Sequence, residues 1–237
     1  MIGWSERDKE IGHMMSDAAV DVTGLSIGIL GGTGDQGKGL ALRFALAGHT
    51  VLIGSRSAAR AQEAAEALGP GLPVRGAGNA TVAAEADVVI VAVPWDGHRA
   101  LLESLRAELD GKIVVDCVNP LGFDKQGAYA LDVEEGSAAQ QAAAVLTGSR
   151  VVAAFHHVSA VLLLDPGVRE IDLDVLVLGD DREATDTVQE LASRIPGARG
   201  VYGGRLRNAG QVEAFTANLI SINRRYKAHA GLRVTDV

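Results

Sequence analysis

Residues 25–37 read LSIGILGGTGDQG, and this segment decides the fold. Its first six residues form a short apolar run, as expected of a buried parallel strand. A G-x-G-x-x-G pattern follows at Gly32, Gly34 and Gly37, where a stretch of helical spacing begins that extends from Gln36 to Ala47. Between a strand and a helix, these glycines allow a tight turn, close approach of the backbone to a pyrophosphate, and close helix–strand packing. The segment therefore predicts a dinucleotide-binding fold.

The chain as far as residue 155 alternates short apolar runs with stretches of helical spacing. The predicted strands are Leu25–Leu30, Thr50–Ile53, Asp87–Val93, Lys112–Val118 and Val151–Phe155. The predicted helices are Gln36–Ala47, Ala58–Leu68, His98–Leu109 and Ser137–Leu146, the last with Ser137 as its N-cap. This alternation predicts right-handed βαβ units and hence an α/β fold, a Rossmann-like doubly wound parallel sheet. Residues 25–155 are interpreted as its nucleotide-binding domain.

The alternation of apolar runs and stretches of helical spacing is less regular after residue 160. A strand at Asp174–Leu178, a helix at Arg182–Arg194 and a last helix from about Leu206 to Tyr226 predict a small C-terminal α/β lobe, residues 156–237. An apolar stripe on the last helix packs either on its own domain or against a second subunit; it consists of Val212, Phe215, Leu219, Ile222 and Tyr226. Residues 1–24 show no sustained period and are predicted to form a flexible N-terminal tail.

Composition excludes several classes of function. The 237 residues include 22 basic and 30 acidic side chains, a net charge of −8, and such a chain suits neither duplex nucleic acid nor an anionic membrane. One cysteine, Cys117, excludes an internal disulfide and a Cys-based zinc site, and no histidines stand at metal-binding spacing with carboxylates. No apolar stretch approaches the roughly 18 residues of a membrane helix, and the start lacks a signal-peptide core. These features predict a soluble, cytoplasmic protein without a metal.

The end of the second strand indicates which dinucleotide binds. A site for NAD usually has Asp or Glu there, where the carboxylate binds the ribose 2′-hydroxyl. Here the strand ends in Gly54-Ser55-Arg56, with Arg60 one turn later and no acid at that point. A hydroxyl and two guanidinium groups suit a 2′-phosphate. The sequence therefore predicts NADP(H), bound through Ser55, Arg56 and Arg60.

Three further strand ends are expected at the same edge, because ligands in such sheets bind beyond the carboxyl ends of the strands. They are Val93-Pro94-Trp95, Val118-Asn119-Pro120 and Phe155 to Ala160. We predict that Trp95, Asn119 and Pro120 contact a cofactor, although Trp95 alternatively covers the edge of the core. Similarly, His156 either contacts a ligand or is satisfied by backbone carbonyls.

These motifs together closely resemble the NADPH:coenzyme F420 oxidoreductases, the F420-dependent NADP reductase family. The resemblance is carried by GGTGDQGKGLALR from Gly31, IGSR from Ile53, VPW from Val93 and AFHHVSA from Ala154. It extends from about Leu25 to the final helix. The family's Pro-Trp-Glu-His reads Pro-Trp-Asp-Gly-His here, which places the histidine one residue late, and its His-Thr-Ile-Pro-Ala reads His-His-Val-Ser-Ala.

The resemblance implies a homodimeric oxidoreductase that transfers a hydride reversibly between NADP(H) and the deazaflavin coenzyme F420. It implies a role for each matching position: Thr33, Gly34, Asp35 and Gln36 at the pyrophosphate; Ser55, Arg56 and Arg60 at the 2′-phosphate; Val93, Asn119 and Ala160 at the ribose and nicotinamide; His156 and Val158 at the deazaflavin. Gly32, which makes the turn of the loop, is predicted with them as a cofactor-binding residue.

Hydride transfer between two rings needs no acid or base from the protein, because the cofactors carry the reaction. No catalytic acid or base is therefore predicted, but His156 would stabilise charge on the deazaflavin if it donates a hydrogen bond to the pyrimidine edge. Two alternatives stay open. One is an NADP-dependent reductase of a small carbonyl or imine substrate, which usually needs a proton donor such as Lys, and no Lys stands at a strand end. The other is a non-catalytic NADP(H)-binding redox sensor.

Overall fold

The structure, a computed structural model, describes residues 20–237 as an α/β fold. Its strands are β1 (Ile27–Leu30), β2 (Val51–Ser55), β3 (Val74–Gly78), β4 (Val88–Val91), β5 (Ile113–Asp116), β6 (Leu121–Asp124), β7 (Gly127–Ala130), β8 (Arg150–Ala153), β9 (Leu173–Gly179) and β10 (Ala198–Gly204). Its α-helices are α1 (Asp35–Leu46), α2 (Ala58–Ala67), α3 (Asn79–Glu85), α4 (His98–Ser104), α5 (Ala138–Val145), α6 (Ala160–Leu164), α7 (Arg182–Ser193) and α8 (Ala209–Tyr226).

Eight of the strands form one sheet in the order β10-β9-β8-β5-β4-β1-β2-β3, while β6 and β7 form a separate antiparallel hairpin. Neighbouring strands in the large sheet are parallel, except that β8 and β9 are antiparallel. β1 lies between β2 and β4, so the winding of the chain changes direction at β1. Ligands of such sheets bind at this position, beyond the carboxyl ends of the strands. The predicted Rossmann-like parallel sheet is confirmed.

Helices cover both faces of the sheet, which is why its central strands have no polar side. All four residues of β1 are buried, as are all four of β4. Successive side chains of each strand point to opposite faces of the sheet, and each face has its own apolar cluster. Ile29 belongs to the cluster on one face and Leu30 to the cluster on the other. A continuous apolar run is thus the expected pattern for a strand buried on two sides.

The predicted elements are present with shifted bounds. Ser137 caps α5 as predicted, since its side chain accepts a hydrogen bond from the Gln140 N–H at 2.9 Å. The helix predicted at His98–Leu109 is shorter, because the backbone leaves the helical region at Leu105. The last helix begins at Ala209 rather than at Leu206, after a turn of 3₁₀ helix. In the described part of the chain, no helix is long and apolar enough to cross a membrane.

Five features of the fold have no clear pattern in the sequence and were not predicted: β3, α3, the β6–β7 hairpin, α6 and β10. The strand β3 shows why. It reads VRGAG and lies at the edge of the sheet. A Cβ at Gly76 would lie 2.1 Å from the backbone of Ala61 and Gln62 in α2, so glycine is required for that close approach. The close packing of β3 on α2 therefore requires glycine where an apolar side chain would otherwise have indicated a strand.

The C-terminal region does not form a separate sheet, because β9 and β10 extend the sheet of the predicted nucleotide-binding domain. The buried guanidinium of Arg43 in α1 joins the two regions by donating hydrogen bonds to four carbonyl oxygens, those of Leu162, Leu163, Asp165 and Val168.

The predicted N-terminal tail, residues 1–24, lies largely outside the described residues. Of residues 20–24, Val22 is completely buried in the core, so the packed fold begins earlier than the sequence predicts.

Candidate active site

The carboxyl ends of β1, β2, β4, β5 and β8 surround one side of a cleft of about 1190 Å³. The volume exceeds the range of roughly 300–1,000 Å³ that small-molecule sites usually occupy. Eleven of the predicted site residues line it together: Thr33, Gly34, Asp35, Gln36, Ser55, Arg56, Arg60, Val93, Trp95, Asn119 and His156. Residues that lie up to 123 positions apart in the sequence are thereby brought to one site.

The glycine loop forms the floor of the cleft at the start of α1. Gly34 is the N-cap of α1 and offers no side chain to the first N–H groups of the helix, which leaves them free for an anion. A Cβ on Gly37 would lie 2.6 Å from the Cα of Gly32, whereas a Cβ on Gly34 would meet no protein atom closer than 3.8 Å. Gly37 is therefore required for packing, while Gly34 keeps space open on the ligand side.

The end of β2 supplies the cationic part of the cleft. Arg56 and Arg60 line it, and neither has a carboxylate partner among residues 20–237. Ser57, which the sequence analysis did not select, also lines the cleft and caps α2 by accepting from the Arg60 N–H at 3.4 Å. The Ser57 N–H in turn lies 3.3 Å from the Ser55 hydroxyl oxygen. These two hydrogen bonds fix the turn from Ser55 to Ser57. The hydroxyl groups of this turn therefore line the cleft together with the guanidinium groups of Arg56 and Arg60.

Asn79 is a second cleft residue that was not predicted from the sequence. It begins α3 directly after β3, and its side-chain oxygen lies over Gly54, where an added Cβ would be only 2.7 Å away. This Oδ1 atom is buried and has no hydrogen-bond partner within the described residues. A buried amide oxygen without a partner is unusual and indicates a place where a ligand or water completes the structure.

Behind the wall of the cleft, His98 and Asp116 form a buried ion pair. The His98 Nε2 atom lies 2.6 Å from Asp116 Oδ2, and its Nδ1 atom lies 3.0 Å from Gln141 Oε1. Burial lowers the pKa of His98, but the Asp116 carboxylate and the two hydrogen bonds outweigh burial and raise it overall. His98 does not line the cleft; its ring packs at 5.5 Å against that of Trp95, which does. The displaced histidine of the family motif therefore supports Trp95 from behind.

The buried carboxyl of Glu213 in α8 lies close to this pair. It accepts hydrogen bonds from the N–H groups of Ala138 and Ala139, at 2.8 and 3.1 Å, at the start of α5. Burial raises the pKa of Glu213 to about 7, although the two N–H groups lower it. The repulsion from Asp116 acts in the same direction as burial. Glu213 thus connects the last helix to the buried charges beneath the cleft.

His156 follows the end of β8 and lines the cleft on the side away from Arg56 and Arg60, which follow β2. Its Nδ1 atom lies 3.1 Å from Asn119 Oδ1, and the Asn119 amide nitrogen donates to the His156 carbonyl oxygen at 3.3 Å. Thr216 of α8 donates to the same Asn119 oxygen at 3.2 Å. Burial lowers the pKa of His156 to about 4, a shift that Asp116 opposes and His157 increases. The Nε2 atom is buried and has no partner in the described part of the molecule.

Four predicted site residues do not line the cleft. Gly32 lies beneath the loop, where its N–H donates to the Gly54 carbonyl oxygen. Pro120 is buried beyond the end of β5. The Val158 side chain belongs to the apolar core, and Ala160 is the first residue of α6. The last two differ from expectation because the chain turns away from the cleft after His156 and enters a short helix that the sequence did not predict.

The sequence matches the family model described as NADP oxidoreductase coenzyme F420-dependent over residues 26–120. It is 42% identical over 223 residues to the F420-dependent NADP reductase of Methanothermobacter marburgensis, covering 90% of this chain and 99% of that protein. The F420-dependent NADP reductase of Methanocaldococcus jannaschii is 39% identical, with the same coverage of each chain. The similarity thus extends over nearly the whole length of both relatives.

A solved structure shows the same fold. A protein from Arthrobacter sp. FB24, provisionally assigned as an F420-dependent NADP reductase, superimposes with a TM-score of 0.76 at 28% identity. The superposition covers 90% of this chain and all of that one. The agreement in fold therefore includes the C-terminal region beyond residue 120, where the family model ends.

Proposed function

Because the chain belongs to the F420-dependent NADP reductase family, we propose that it transfers a hydride reversibly between NADP(H) and the deazaflavin coenzyme F420. The observation that carries the proposal is the cleft itself. At one end it has a helix N-terminus and two guanidinium groups, and at the other a buried histidine; neither the guanidinium groups nor Nε2 of that histidine has a partner among residues 20–237. A phosphate-bearing dinucleotide fits the first end, and a ring with hydrogen-bonding groups fits the second.

The described residues fit NADP(H) at three points. The uncapped first turn of α1 and the open side of Gly34 suit a pyrophosphate, because backbone N–H groups and the helix dipole both favour an anion there. Arg56 and Arg60 suit a 2′-phosphate, since no carboxylate of the described chain neutralises either of them. The buried, unpartnered Oδ1 of Asn79 suits a ligand N–H or O–H near the same end.

The remaining walls orient and enclose the reacting rings. When both are bound, NADPH supplies the hydride from its nicotinamide ring and the oxidised deazaflavin accepts it. Val93, Trp95 and Asn119 line the middle of the cleft, between the glycine loop and His156, and we assign them to the nicotinamide. Their role is to hold the rings in reactive geometry and to exclude water. His156 is assigned to the deazaflavin.

A carbonyl or imine reductase is less well supported by the cleft. Protonation of such a product needs an acid in reach of the nicotinamide, most often Lys, Tyr or a raised-pKa carboxyl. Neither Lys nor Tyr is among the described residues that line the cleft, and its acidic residues are Asp35 at the glycine loop and Asp96 next to Trp95. Hydride exchange between two ring systems requires no such acid.

We also propose that the protein forms a homodimer through its last helix and the hairpin. Large apolar side chains are exposed there, and they are Phe123, Tyr129, Phe215, Ile222 and Tyr226. A surface of this kind is usually covered by another protein. Sedimentation of the purified chain tests this, with a dimer expected and a monomer contradicting it. The division into residues 25–155 and 156–237 and the cytoplasmic location stay predictions.

Mixing the protein with NADPH and oxidised F420 tests the activity directly. We expect the deazaflavin absorbance band to bleach with NADPH and to bleach far more slowly with NADH. If NADPH binds but F420 is not reduced, the hydride-transfer proposal is wrong. Oxidation of NADPH by a carbonyl compound in the absence of F420 would support the carbonyl reductase instead.

A further inference from the structure

Three hydrogen-bonded side chains, Glu135, Gln141 and His98, connect the protein surface to the ring behind Trp95, and we call them the Glu135 relay. The Gln141 amide nitrogen in α5 donates to Glu135 Oε2 at 3.2 Å. The Gln141 Oε1 atom lies 3.0 Å from His98 Nδ1. Gln141 and His98 are buried, whereas Glu135 is partly exposed and forms a salt bridge with Arg99. The relay therefore links a surface ion pair to a buried ring that packs against a residue of the cleft.

The carboxylate of Glu135 determines which way the Gln141 amide points. Burial acts against ionisation of Glu135, but the hydrogen bond from Gln141 and the Arg99 guanidinium lower its pKa overall. An ionised carboxylate accepts hydrogen bonds and cannot donate them, so the Gln141 atom that faces Glu135 is the amide nitrogen. Rotation of the amide by 180° would place two acceptor oxygens against each other. The Gln141 oxygen therefore faces His98.

Both nitrogens of His98 consequently face acceptors. Nδ1 donates to Gln141 Oε1, because an amide oxygen has no hydrogen to offer. Nε2 lies 2.6 Å from Asp116 Oδ2, and imidazole is a stronger base than a carboxylate, so the proton between them lies on the ring. Burial lowers the pKa of His98, but Asp116 and the two hydrogen bonds raise it overall. His98 is thus an imidazolium at neutral pH.

This imidazolium lies against the indole of Trp95. The ring centroids are 5.5 Å apart and the rings are tilted by 32°, which is closer to a stacked than to a perpendicular arrangement. A cation within about 6 Å of an indole centroid is attracted to the ring, more strongly where water is excluded. A neutral imidazole lacks this attraction. Trp95 is partly exposed, lines the cleft, and belongs to the turn of 3₁₀ helix that directly precedes His98.

Other charged groups around His98 provide a control. Glu213 of α8 attracts the charge on His98 without a hydrogen bond between them. Arg99, the next residue of α4, pairs with Glu135 and also with Glu103, 3.9 Å away. Among the described hydrogen bonds, none joins Glu103 to Gln141. Removing the charge of Glu103 therefore disturbs the same surface arginine but leaves the relay intact.

We propose that His98 is a positioning residue: Glu135, through Gln141, keeps it as an imidazolium, and the imidazolium holds Trp95 at the wall of the cleft for binding of NADP(H). The inference rests on the proposed function for the assignment of the nicotinamide to Trp95. The charge on His98 and its dependence on Glu135 are measured without F420, so a failure of this proposal is distinguishable from a failure of the hydride-transfer proposal.

The charge on His98 is measured at pH 7 by long-range proton–nitrogen NMR of the ligand-free protein labelled with ¹⁵N-histidine. The His98 signals are assigned by their absence in His98→Gln or, if that variant does not fold, by through-space contacts to the Trp95 indole. We expect protons on both Nδ1 and Nε2. An unprotonated nitrogen at either position would overturn the proposal, whether or not the protein reduces F420.

Glu135→Gln then tests the relay, with Glu103→Gln as the matched control. A glutamine at position 135 offers both a donor and an acceptor, so it no longer fixes the direction of the Gln141 amide. The midpoint of the His98 NMR titration is expected to fall by about one pH unit in Glu135→Gln and to stay near the wild-type value in Glu103→Gln. Both side chains are partly exposed, and circular dichroism verifies that both variants fold. Equal midpoints in the two variants would show that Glu135 does not hold the charge.

NADPH binding is compared by fluorescence titration without F420. At a pH halfway between the wild-type and Glu135→Gln midpoints, His98 is mostly charged in the wild type and mostly neutral in the variant. The Kd for NADPH is expected to be about 2- to 3-fold higher in the variant there, and equal well below both midpoints. Glu103→Gln should follow the wild type at both pH values. Glu213 is present in all three proteins, so its own titration does not separate them. Equal affinities at the intermediate pH would overturn the positioning role.

Trp95→Leu shows whether Trp95 carries the effect. In this background the exchange of Glu135 for glutamine should no longer change the affinity for NADPH at the intermediate pH. If the affinity of Trp95→Leu still responds to Glu135→Gln as the wild type does, His98 acts on the cleft by another route and the proposal is wrong.

Discussion

His98 and Asp116 form an ion pair in which both side chains are completely buried, with 2.6 Å between His98 Nε2 and Asp116 Oδ2. The pair joins the helix that follows Trp95 to the end of β5, where the cleft residues Val118 and Asn119 follow. Asp116 Oδ1 also accepts the Val118 N–H at 3.0 Å. The Asp116 carboxylate therefore holds two elements that carry residues of the cleft, although Asp116 itself does not line it.

Removing the charge of Asp116 is expected to destabilise the fold. Asp116→Asn leaves His98 buried without its carboxylate, and breaking such a pair usually costs about 3–5 kcal/mol. Urea unfolding of wild type, Asp116→Asn, His98→Gln and the double variant gives the coupling free energy. We expect a large coupling near pH 6. Additive effects of the two substitutions would show that the pair does not act as a unit.

This pair also predicts a pH dependence. The folded-state pKa of His98 is raised, so the protonated ring stabilises the native state fully below the unfolded pKa of about 6.5. The contribution is lost as the pH rises through the folded pKa. The stability difference between wild type and His98→Gln is therefore expected to shrink at alkaline pH. A difference that grows as the pH rises would contradict the assignment.

Glu213 predicts a second slope, at lower pH. Its carboxyl is protonated up to about pH 7 in the native state but only up to about 4.5 when unfolded, so the native state binds more protons between these values. Stability should fall by roughly 2–3 kcal/mol as the pH rises from 4.5 to 7. Glu213→Gln should remove this slope in urea unfolding, while the exposed control Glu66→Gln keeps it. An unchanged slope in Glu213→Gln would refute the assignment.

Two glycines of the loop are expected to respond differently to alanine. Gly37→Ala places a Cβ 2.6 Å from the Gly32 Cα and should cost about 1–3 kcal/mol of unfolding free energy. Gly34→Ala meets no protein atom within 3.8 Å, so stability should change little. Its Cβ intrudes on the ligand side, and NADPH binding should weaken about tenfold or more. Equal losses of stability in both variants would show that Gly34 has a packing role instead.

The guanidinium groups of Arg56 and Arg60 should determine the choice between NADPH and NADH. Each substitution by alanine removes charge-assisted hydrogen bonds to the 2′-phosphate, so KM for NADPH should rise roughly 10- to 100-fold. KM for NADH should change little. Arg75→Ala is the control, because Arg75 pairs with Glu85 away from the cleft. If KM for NADPH is unchanged in Arg56→Ala and Arg60→Ala, the 2′-phosphate binds elsewhere.

The sequence was sufficient for those features of the fold and site that have a local pattern. The glycine loop and the Ser55-Arg56 strand end could be predicted, because each is a short motif directly after an apolar strand. Parallel pairing then brings such strand ends to one edge, which is why Asn119 and His156 were correctly expected to lie close together.

Features that depend on distant contacts could not be predicted. Thr216 and Asn119 are 97 residues apart, and no local pattern connects them. Asn79 follows β3, and the glycines of that strand leave it without the apolar run by which a strand is predicted. The family resemblance places Val158 at the deazaflavin and Ala160 at the nicotinamide, but neither residue lines the cleft. The chain enters a short helix after His156, and the buried Arg43 guanidinium binds carbonyl oxygens of that helix. Arg43 lies 120 positions before Leu163 in the sequence, so no local pattern predicts this contact.

We expect the hydride to pass directly from the nicotinamide to the deazaflavin, so that no side chain exchanges the transferred hydrogen with water. The most direct test is a single turnover in ordinary water with NADPH that carries deuterium at both C4 positions of the nicotinamide. Mass spectrometry and NMR of the reduced F420 report the label. We predict one deuterium per molecule at the reduced ring carbon. A product without deuterium would show that the hydrogen passes through an exchangeable group, and would contradict direct transfer.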